Sequence, residues 1–333
     1  MRFLVGIAFL TVAIGCARAD TADTADTADL AVETKIPLGQ IAGRIDHLAF
    51  DPTRSRIYVA ELGNGSVGIV DLKERSVIRT VPGFREPQGI AYEPTTDSIY
   101  VAEAASGSVR VFSGADFKTL GSIALGQDPD NVRVDPAARR VVVGYGDGAL
   151  AIIDAATRTR VSDLELDGHP EGFQLDSGGS YIYVNVPAAR QIVVVSREAN
   201  RALAAWSTGR VLGNYPLAID SKKNRVISVF RNPPRLQAYD ARTGQMTSES
   251  DVCGDADDVF VDASRERIYI ICGAGFVEVL DPSGDAFTPR GRVATRQGAR
   301  TGLFVPEMDR LIVAVRASSG EPAALWILRP AEH

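Results

Sequence analysis

Seven polar residues recur along the chain at nearly constant intervals, and four of them are carboxylates. The intervals are 42, 42, 41, 44, 42 and 44 residues, and the positions are Asp46, Gln88, Asp130, Glu171, Tyr215, Asp257 and Thr301. The residues that follow them include His47, Asn131 and Asp258, which add an imidazole, an amide and another acid. If the fold brings these positions together, the carboxylates repel one another and burial raises the cost further.

Two kinds of site are open for such a ring. In one, water and shifted pKa values relieve the repulsion and no metal is fixed. In the other, Asp46, Asp130, Glu171 and Asp257 hold a hard cation such as Ca²⁺, which prefers oxygen ligands. The other polar residues of the ring are predicted to contact a ligand at the same place, namely His47, Gln88, Asn131, Tyr215 and Asp258. His169, two residues before Glu171, is interpreted as a solvated loop histidine rather than as part of this site.

A repeat of about 42 residues determines where these side chains lie. Each unit opens with a short apolar run, and the seven runs end at residues 51, 93, 135, 176, 220, 262 and 306. Two β-branched or aromatic runs follow in each unit, and most units add a weaker fourth run. Strand-length runs at this period are typical of propeller blades. The sequence therefore predicts an all-β, seven-bladed β-propeller with four-stranded antiparallel blades, whose first strands line a central channel.

The last unit lacks its fourth strand, because only five residues follow Leu328. A replacement stands at the other end, in the segment from Glu33 to Leu38 just before the first unit. We expect this segment to pair with the last blade and close the ring, which leaves few long unpaired edges. Residues 33–330 are then one domain.

The blades resemble a known family. The recurring segments IYVAE at residues 57–61 and 99–103 and IYVN at residues 182–185 look like the YVTN-type seven-bladed propellers related to the YncE proteins. The resemblance covers residues 33–330 and implies the fold. It does not imply one function, because such propellers carry unrelated activities.

A more distant likeness, to six-bladed calcium-dependent lactonases of the SMP-30 and gluconolactonase type, implies an enzymatic alternative. Those proteins place a metal ligand within Pro-Asn-Gly at the start of inner strands, and this chain has Pro-Gln-Gly around Gln88 and Pro-Glu-Gly around Glu171. The likeness implies that Gln88 and Glu171 are ligand positions. Glu171 and Asp257 are then the alternative catalytic carboxylates of a cation-dependent lactonase or esterase.

The N-terminus is typical of an exported protein. Residues 1–19 have a basic start, an apolar stretch and a small-x-small cleavage site, which predicts a signal peptide. The segment Ala13–Cys16 also resembles a bacterial lipoprotein box, in which case the leader is residues 1–15 and Cys16 carries lipid. Residues 20–32 contain three Thr-Ala-Asp repeats and are predicted to be a disordered linker. Periplasmic, secreted and lipid-anchored forms remain open.

The composition and net charge of the chain limit the classes of binding partner that we expect. The 333-residue chain is 45% hydrophobic and has a formal net charge of -6, so it is globular and gives no reason to expect nucleic acid. We expect a monomer that binds a small molecule or an envelope protein, with contact to a membrane only through the N-terminal anchor. Cys253 and Cys272 lie at the same face of the sixth unit, where a disulfide and two free buried thiols are both open. The leading hypothesis is an exported binding or interaction module that acts through the acidic channel mouth.

Overall fold

A computed structural model describes residues 29–283 and 286–331, and it shows seven four-stranded antiparallel sheets arranged in a ring. The predicted seven-bladed β-propeller is therefore confirmed. The predicted signal peptide, the lipoprotein cysteine Cys16 and residues 20–28 of the predicted linker lie outside the described residues.

The first strand, β1 (Leu30–Gly39), precedes the first blade. Blade 1 consists of β2 (Leu48–Asp51), β3 (Arg56–Glu61), β4 (Ser66–Asp71) and β5 (Ser76–Pro82). Blade 2 consists of β6 (Pro87–Glu93), β7 (Ser98–Glu103), β8 (Ser108–Ser113) and β9 (Thr119–Ala124). Blade 3 consists of β10 (Val132–Asp135), β11 (Arg140–Tyr145), β12 (Ala149–Asp154) and β13 (Thr159–Glu165).

The remaining blades follow the same order. Blade 4 consists of β14 (Phe173–Leu175), β15 (Tyr181–Val186), β16 (Gln191–Ser196) and β17 (Arg201–Ser207). Blade 5 consists of β18 (Leu212–Asp220), β19 (Arg225–Asn232), β20 (Pro234–Asp240) and β21 (Met246–Asp251). Blade 6 consists of β22 (Ala256–Asp262), β23 (Arg267–Cys272), β24 (Phe276–Asp281) and β25 (Thr288–Ala294). Blade 7 contains β26 (Thr301–Val305), β27 (Arg310–Val315) and β28 (Ala323–Pro330).

Three single-turn 3-10 helices complete the described elements: Leu62–Asn64, Ala104–Ser106 and Pro306–Met308. In the described part of the chain, no helix has the length and apolar character needed to cross a bilayer.

The ring is closed by β1, as the sequence predicts. This strand pairs antiparallel with β28 from Leu30↔Pro330 to Gly39↔Ala323, so it forms the outer strand of blade 7. It begins at Leu30, inside the segment predicted as linker and three residues before the predicted propeller boundary. The reason is packing, because the Leu30 side chain is buried between blades 6 and 7. Because polar Thr-Ala-Asp repeats run directly up to Leu30, the sequence pattern does not indicate that the strand starts there.

The acid that ends most inner strands has a structural role. Asp51 Oδ1 accepts hydrogen bonds from the backbone N–H groups of Thr53 and Arg54, and Asp262 Oδ1 accepts the equivalent pair in blade 6. A carboxylate that caps the following turn in this way favours the reversal of the chain into the second strand. The recurrent aspartate is therefore a turn signal. It is separate from the channel ring five residues earlier.

Apolar residues fill the spaces between blades because the second strand of each blade is covered on both faces. Every residue of β7 and β23 is buried, whereas the outer strands β5 and β17 are largely exposed. This explains why the second runs are continuous β-branched and aromatic segments without alternation.

A disulfide joins Cys253, just before β22, to Cys272 at the end of β23. Of the two alternatives for these cysteines, the structure therefore has the bond. The Cys253 backbone N–H also donates to the buried Glu278 carboxylate, at 2.6 Å. Both contacts fix the segment that enters the inner strand of blade 6.

We expect Ile36→Ala on β1 to lower the free energy of unfolding by about 2–4 kcal/mol, because a buried side chain at the closure is lost. Ile36 is 1% exposed and packs in the cluster between blades 7 and 1. Val32→Ala on the same strand is the control, since Val32 is 38% exposed. Urea denaturation measures both, and equal small effects would show that β1 does not close the ring.

We expect alkylation of the unfolded protein without reductant to leave both Cys253 and Cys272 unmodified, because their thiols are bonded to each other. Reduction before alkylation should add two adducts. The double variant Cys253→Ala/Cys272→Ala should lose about 3 kcal/mol of stability, the cost of freeing a closed loop of this size. Two adducts without reductant would contradict the assignment.

Candidate functional site

The channel mouth gathers five of the seven ring residues. Asp46, Asp130, Glu171, Tyr215 and Asp257 line one cavity at the axis, although they lie in five different blades. The cavity has a volume of about 40 Å³. This is room for a few waters or one small chemical group rather than for a whole metabolite.

Two predicted ring positions do not line this cavity. The Gln88 side chain donates to Asp128 Oδ1 at 3.3 Å, and the buried Thr301 hydroxyl donates to the Ile45 carbonyl at 3.2 Å. Gln88 therefore contacts a loop carboxylate, and Thr301 joins blade 7 to the segment before blade 1. The repeat period predicts that these two residues belong to the ring, but their side chains form hydrogen bonds outside the cavity.

The residues that directly follow the ring positions include both polar side chains and glycines. His47, Asn131 and Asp258 line the cavity, and their contact with a ligand stays a prediction. At Gly89 and Gly172 the neighbouring inner strand comes so close that an added Cβ would lie 1.9 Å from the Asp130 carbonyl oxygen and 2.3 Å from that of Tyr215. The glycines allow the close approach, which is what packs the inner strands tightly enough to bury the carboxylates.

Arginines surround Asp257. Arg231 donates from Nη2 to Asp257 Oδ1, and Arg300 Nε lies 3.7 Å from Asp257 Oδ2. The Arg231 guanidinium carbon also lies 4.0 Å from the centroid of the Tyr215 ring, a cation–π contact. Arg231 lies near the end of β19, and Arg300 lies directly before β26.

Two further arginines reach the cavity from other directions. Arg44 lies between β1 and β2, and its Nη2 is 2.9 Å from Asp46 Oδ2 and 3.9 Å from Asp257 Oδ2. Burial lowers the pKa of Arg133, and the nearby carboxylates of Asp258 and Asp130 act in the opposite direction. The mouth predicted to be acidic is thus a network of both charges. Sequence reasoning missed Arg44, Arg133 and Arg300 because they stand outside the repeated ring position.

His169 belongs to this network, contrary to its interpretation as a solvated loop residue. Its Nδ1 lies 2.6 Å from the Gly146 carbonyl oxygen, and its Nε2 lies 4.0 Å from Asp130 Oδ2. Burial alone would lower the pKa of His169. The Asp130 carboxylate, the Gly146 carbonyl and the Glu171 carboxylate together raise it to about 9.

Burial is also the main cause of the shifted pKa values of the carboxylates. It raises the pKa of Asp46 and of Glu171 to about 8, with Asp130 and Asp257 adding repulsion at both. The pKa of Asp258 rises to about 7, because burial outweighs the attraction of His47 and the hydrogen bond that the Gly302 N–H donates to its Oδ2 at 2.8 Å. Carboxyl groups with such pKa values can exist in either protonation state near neutral pH.

Several buried acceptor atoms at the cavity lack a donor. Asp130 Oδ1 and Asn131 Oδ1 have no hydrogen-bond partner among the described residues. Asp46 Oδ2 and Asp257 Oδ2 have guanidinium groups nearby but no hydrogen bond of good geometry. Asn131 is 3% exposed and Asp130 is 8% exposed, so bulk water does not solvate them freely. Unpartnered buried acceptors are costly and call for a donor from outside the chain.

The donor set does not fit a resident Ca²⁺ ion. Within residues 29–283 and 286–331, no three carboxylate, imidazole or thiol groups gather closely enough to hold a metal. The ring carboxylates Asp46 and Asp257 are engaged by Arg44 and Arg231. A guanidinium in this position competes with a cation for the same oxygens.

Comparison with known proteins supports the fold. No protein-family model and no curated protein matches the sequence. A chain of the hydrazine synthase of Kuenenia stuttgartiensis is 15% identical, with a TM-score of 0.75 over 89% of this chain and 96% of that chain. A chain of the mitotic checkpoint complex is 12% identical, with a TM-score of 0.78 over 98% of this chain and all of that chain. At such identities the likeness establishes the propeller fold alone, and membership of the YVTN-type family stays a prediction.

We expect the free energy of unfolding to fall as pH rises from about 5 to about 9. Asp46, Glu171, Asp258 and His169 all have raised pKa values and so bind protons more tightly when folded. Stability from such groups is present below the unfolded pKa and is lost through the folded pKa. Urea denaturation at several pH values measures the slope.

In the variant Glu171→Gln, the free energy of unfolding should fall less between about pH 4.5 and pH 8 than in the wild type, by about 1 kcal/mol or more, because glutamine does not ionise. The matched control is Glu307→Gln, at an exposed residue on the single-turn helix after β26. An unchanged slope in Glu171→Gln would mean that this carboxyl ionises without cost at the mouth.

Proposed function

We propose that the protein is an exported binding module whose channel mouth receives one polar group of a small molecule or an envelope protein. The unpartnered acceptors at the cavity carry this proposal. They are Asp130 Oδ1 and Asn131 Oδ1, buried atoms at the inner edge of blade 3 that line the cavity. A site whose polar atoms are fixed before binding loses little entropy when a ligand arrives.

The volume of the cavity limits how much of a ligand can enter it. A volume of about 40 Å³ admits a terminal group while the rest of the ligand stays outside, above the ring. Propellers commonly present such a face to partners, so insertion of a single group is compatible with both a small molecule and a protein. Export is supported by the N-terminal leader sequence and by the Cys253–Cys272 bond, since disulfides persist in oxidising compartments.

The cation-dependent lactonase is the alternative. Its catalytic carboxylates would be Glu171 and Asp257, which do line one cavity, and burial raises the pKa of both. A carboxyl with a raised pKa can act as a general base or acid. The arginines that engage Asp257 favour the binding module, because they leave that carboxylate neither free nor available to a cation.

A panel of amines, organic acids, sugars and lactones tests the proposal by thermal shift and calorimetry. We expect at least one class to raise the melting temperature of the wild-type protein and to lose the effect in Asp130→Asn. The control is Asp116→Asn, at an exposed aspartate paired with Lys118 outside the mouth. If no compound depends on Asp130, the mouth is not the binding site.

The same panel separates the alternative. The binding module predicts no lactone hydrolysis that EDTA abolishes. Hydrolysis that EDTA abolishes and that both Glu171→Gln and Asp257→Asn reduce by about a hundredfold or more would assign the lactonase activity to the ring instead.

A further inference from the structure

We infer that the cleft between blades 4 and 5 is a second binding site, which takes a neutral saccharide and is independent of the group that the channel mouth receives. The cleft has a volume of about 520 Å³, which is within the range of small-molecule sites. It opens on the face opposite the mouth: Asp176, which follows the inner strand β14, lines the cleft, whereas Glu171, which precedes this strand, lines the mouth.

Three aromatic residues form one wall of the cleft, namely Tyr181, Tyr183 and Trp206. The ring centroids of Tyr181 and Tyr183 lie 6.3 Å apart, and those of Tyr183 and Trp206 lie 5.6 Å apart. Tyr183 is buried, and its hydroxyl donates to the Ala241 carbonyl of blade 5 at 3.2 Å, so the wall joins the two blades. Tyr181 is 39% exposed and Trp206 is half-buried. Both rings therefore offer surface to a ligand.

The corresponding space between blades 1 and 2 is filled by a side chain. Tyr58 occupies the position of Tyr183 there, and its hydroxyl donates to the Gly114 carbonyl of the next blade at 3.3 Å. Three residues after Gly114, Phe117 enters the space from the turn between β8 and β9. Phe117 is 6% exposed, and its ring centroid lies 6.1 Å from that of Tyr58. One turn residue thus decides whether such a space is closed.

Gly244 takes the place of Phe117 in the turn of blade 5. The two backbones match, with φ values of 71° and 60° and an N–H that donates to the carbonyl four residues earlier in each. Because glycine adds no side chain, Trp206 enters from blade 4, and a Cβ added at Gly244 would lie 2.3 Å from Cδ1 and Nε1 of its indole. The remainder of the space stays open as the cleft. Burying the aromatic wall would stabilise the fold, so its contact with solvent favours a binding role.

The polar side chains of the cleft are available to a ligand. Arg242 and Asn224 have fixed backbones, since the Arg242 N–H donates to Asp240 Oδ1 at 3.0 Å and the Asn224 carbonyl accepts from the Ala241 N–H at 2.9 Å. Their side chains are exposed and form no hydrogen bond or ion pair within residues 29–283 and 286–331. Ser221 adds an exposed hydroxyl. Together these groups offer both donors and acceptors.

A saccharide matches this combination of surfaces. The C–H groups on one face of a pyranose ring pack against aromatic rings, while the hydroxyls at its edge both donate and accept hydrogen bonds. The charges favour a neutral ligand, because the cleft is lined by one carboxylate, Asp176, and one guanidinium, Arg242. A purely apolar ring would displace water from Arg242 and Asn224 without replacing its hydrogen bonds.

The test is calorimetric titration of the wild-type protein with the methyl glycosides of glucose, galactose, mannose and N-acetylglucosamine. Cyclohexylmethanol and p-cresol are the comparisons, since they keep an apolar or aromatic ring but carry a single hydroxyl. We expect at least one glycoside to bind at least about tenfold more tightly than either comparison, because only the glycosides can form several hydrogen bonds. No binding of any glycoside, or tighter binding of a comparison compound, would overturn the inference.

Variants locate the binding site. Tyr181→Ala should weaken the bound glycoside about tenfold or more through loss of the aromatic wall, and Arg242→Ala about threefold or more through loss of hydrogen bonds. Leu120→Ala is the matched control, because Leu120 is also 39% exposed but lies on β9 of blade 2. Unchanged affinity in both Tyr181→Ala and Arg242→Ala would show that the cleft is not the site.

Fluorescence reports on the cleft directly. The chain has two tryptophans, and Trp326 lies on β28, so the variant Trp326→Phe leaves Trp206 as the only indole. We expect the glycoside to change the Trp206 emission in a saturable manner, with the affinity that calorimetry gives. Binding by calorimetry without any change in this emission would contradict contact with the aromatic wall.

The second site and the mouth fail separately. Glycoside binding that survives Tyr181→Ala and Arg242→Ala but is lost in Asp130→Asn places the sugar at the mouth, which supports the binding module and refutes the second site. Glycoside binding that is lost in Tyr181→Ala, while no compound depends on Asp130, supports the second site and refutes the mouth. Melting temperatures of the variants verify that each is folded.

Discussion

Closure of the ring by β1 against β28 is the constraint from which the site follows. A closed ring of seven blades forces seven inner strands together at the axis, and glycines such as Gly89 and Gly172 let them approach closely. The carboxylates at the start of these strands are thereby removed from bulk water, and their pKa values rise. The chemistry of the mouth is thus a consequence of backbone geometry.

The cost of burying these carboxylates is offset by arginines drawn from several elements. Arg231 lies in β19, Arg300 precedes β26, and Arg44 lies between the closing strand and blade 1. A buried charge pair contributes little net stability over apolar packing, but an unpaired buried charge is strongly unfavourable. The network is therefore better understood as a fixed polar surface than as a source of stability. The buried acceptor atoms that have no partner in this network determine which chemical groups the mouth can bind.

The sequence alone predicted the fold and most of the ring, for a physical reason. Blades repeat, so equivalent positions such as Asp46, Asp130 and Asp257 must converge once the ring closes. Side-chain direction is not fixed by the period: the Gln88 side chain is directed to Asp128 and does not line the cavity. Arg44 and Arg300 enter from connections between blades, where no repeat marks them, and the disulfide depended on distances that spacing does not supply.

The position of the closing strand also bears on the order of synthesis. The partner of β1 lies almost 300 residues later in the chain, at β28. Contacts of such separation form late and slow a folding reaction. The N-terminal strand must therefore remain unpaired while the ribosome makes six whole blades. Any product truncated before Ala323 keeps an open edge, the kind of surface that recruits chaperones or aggregates.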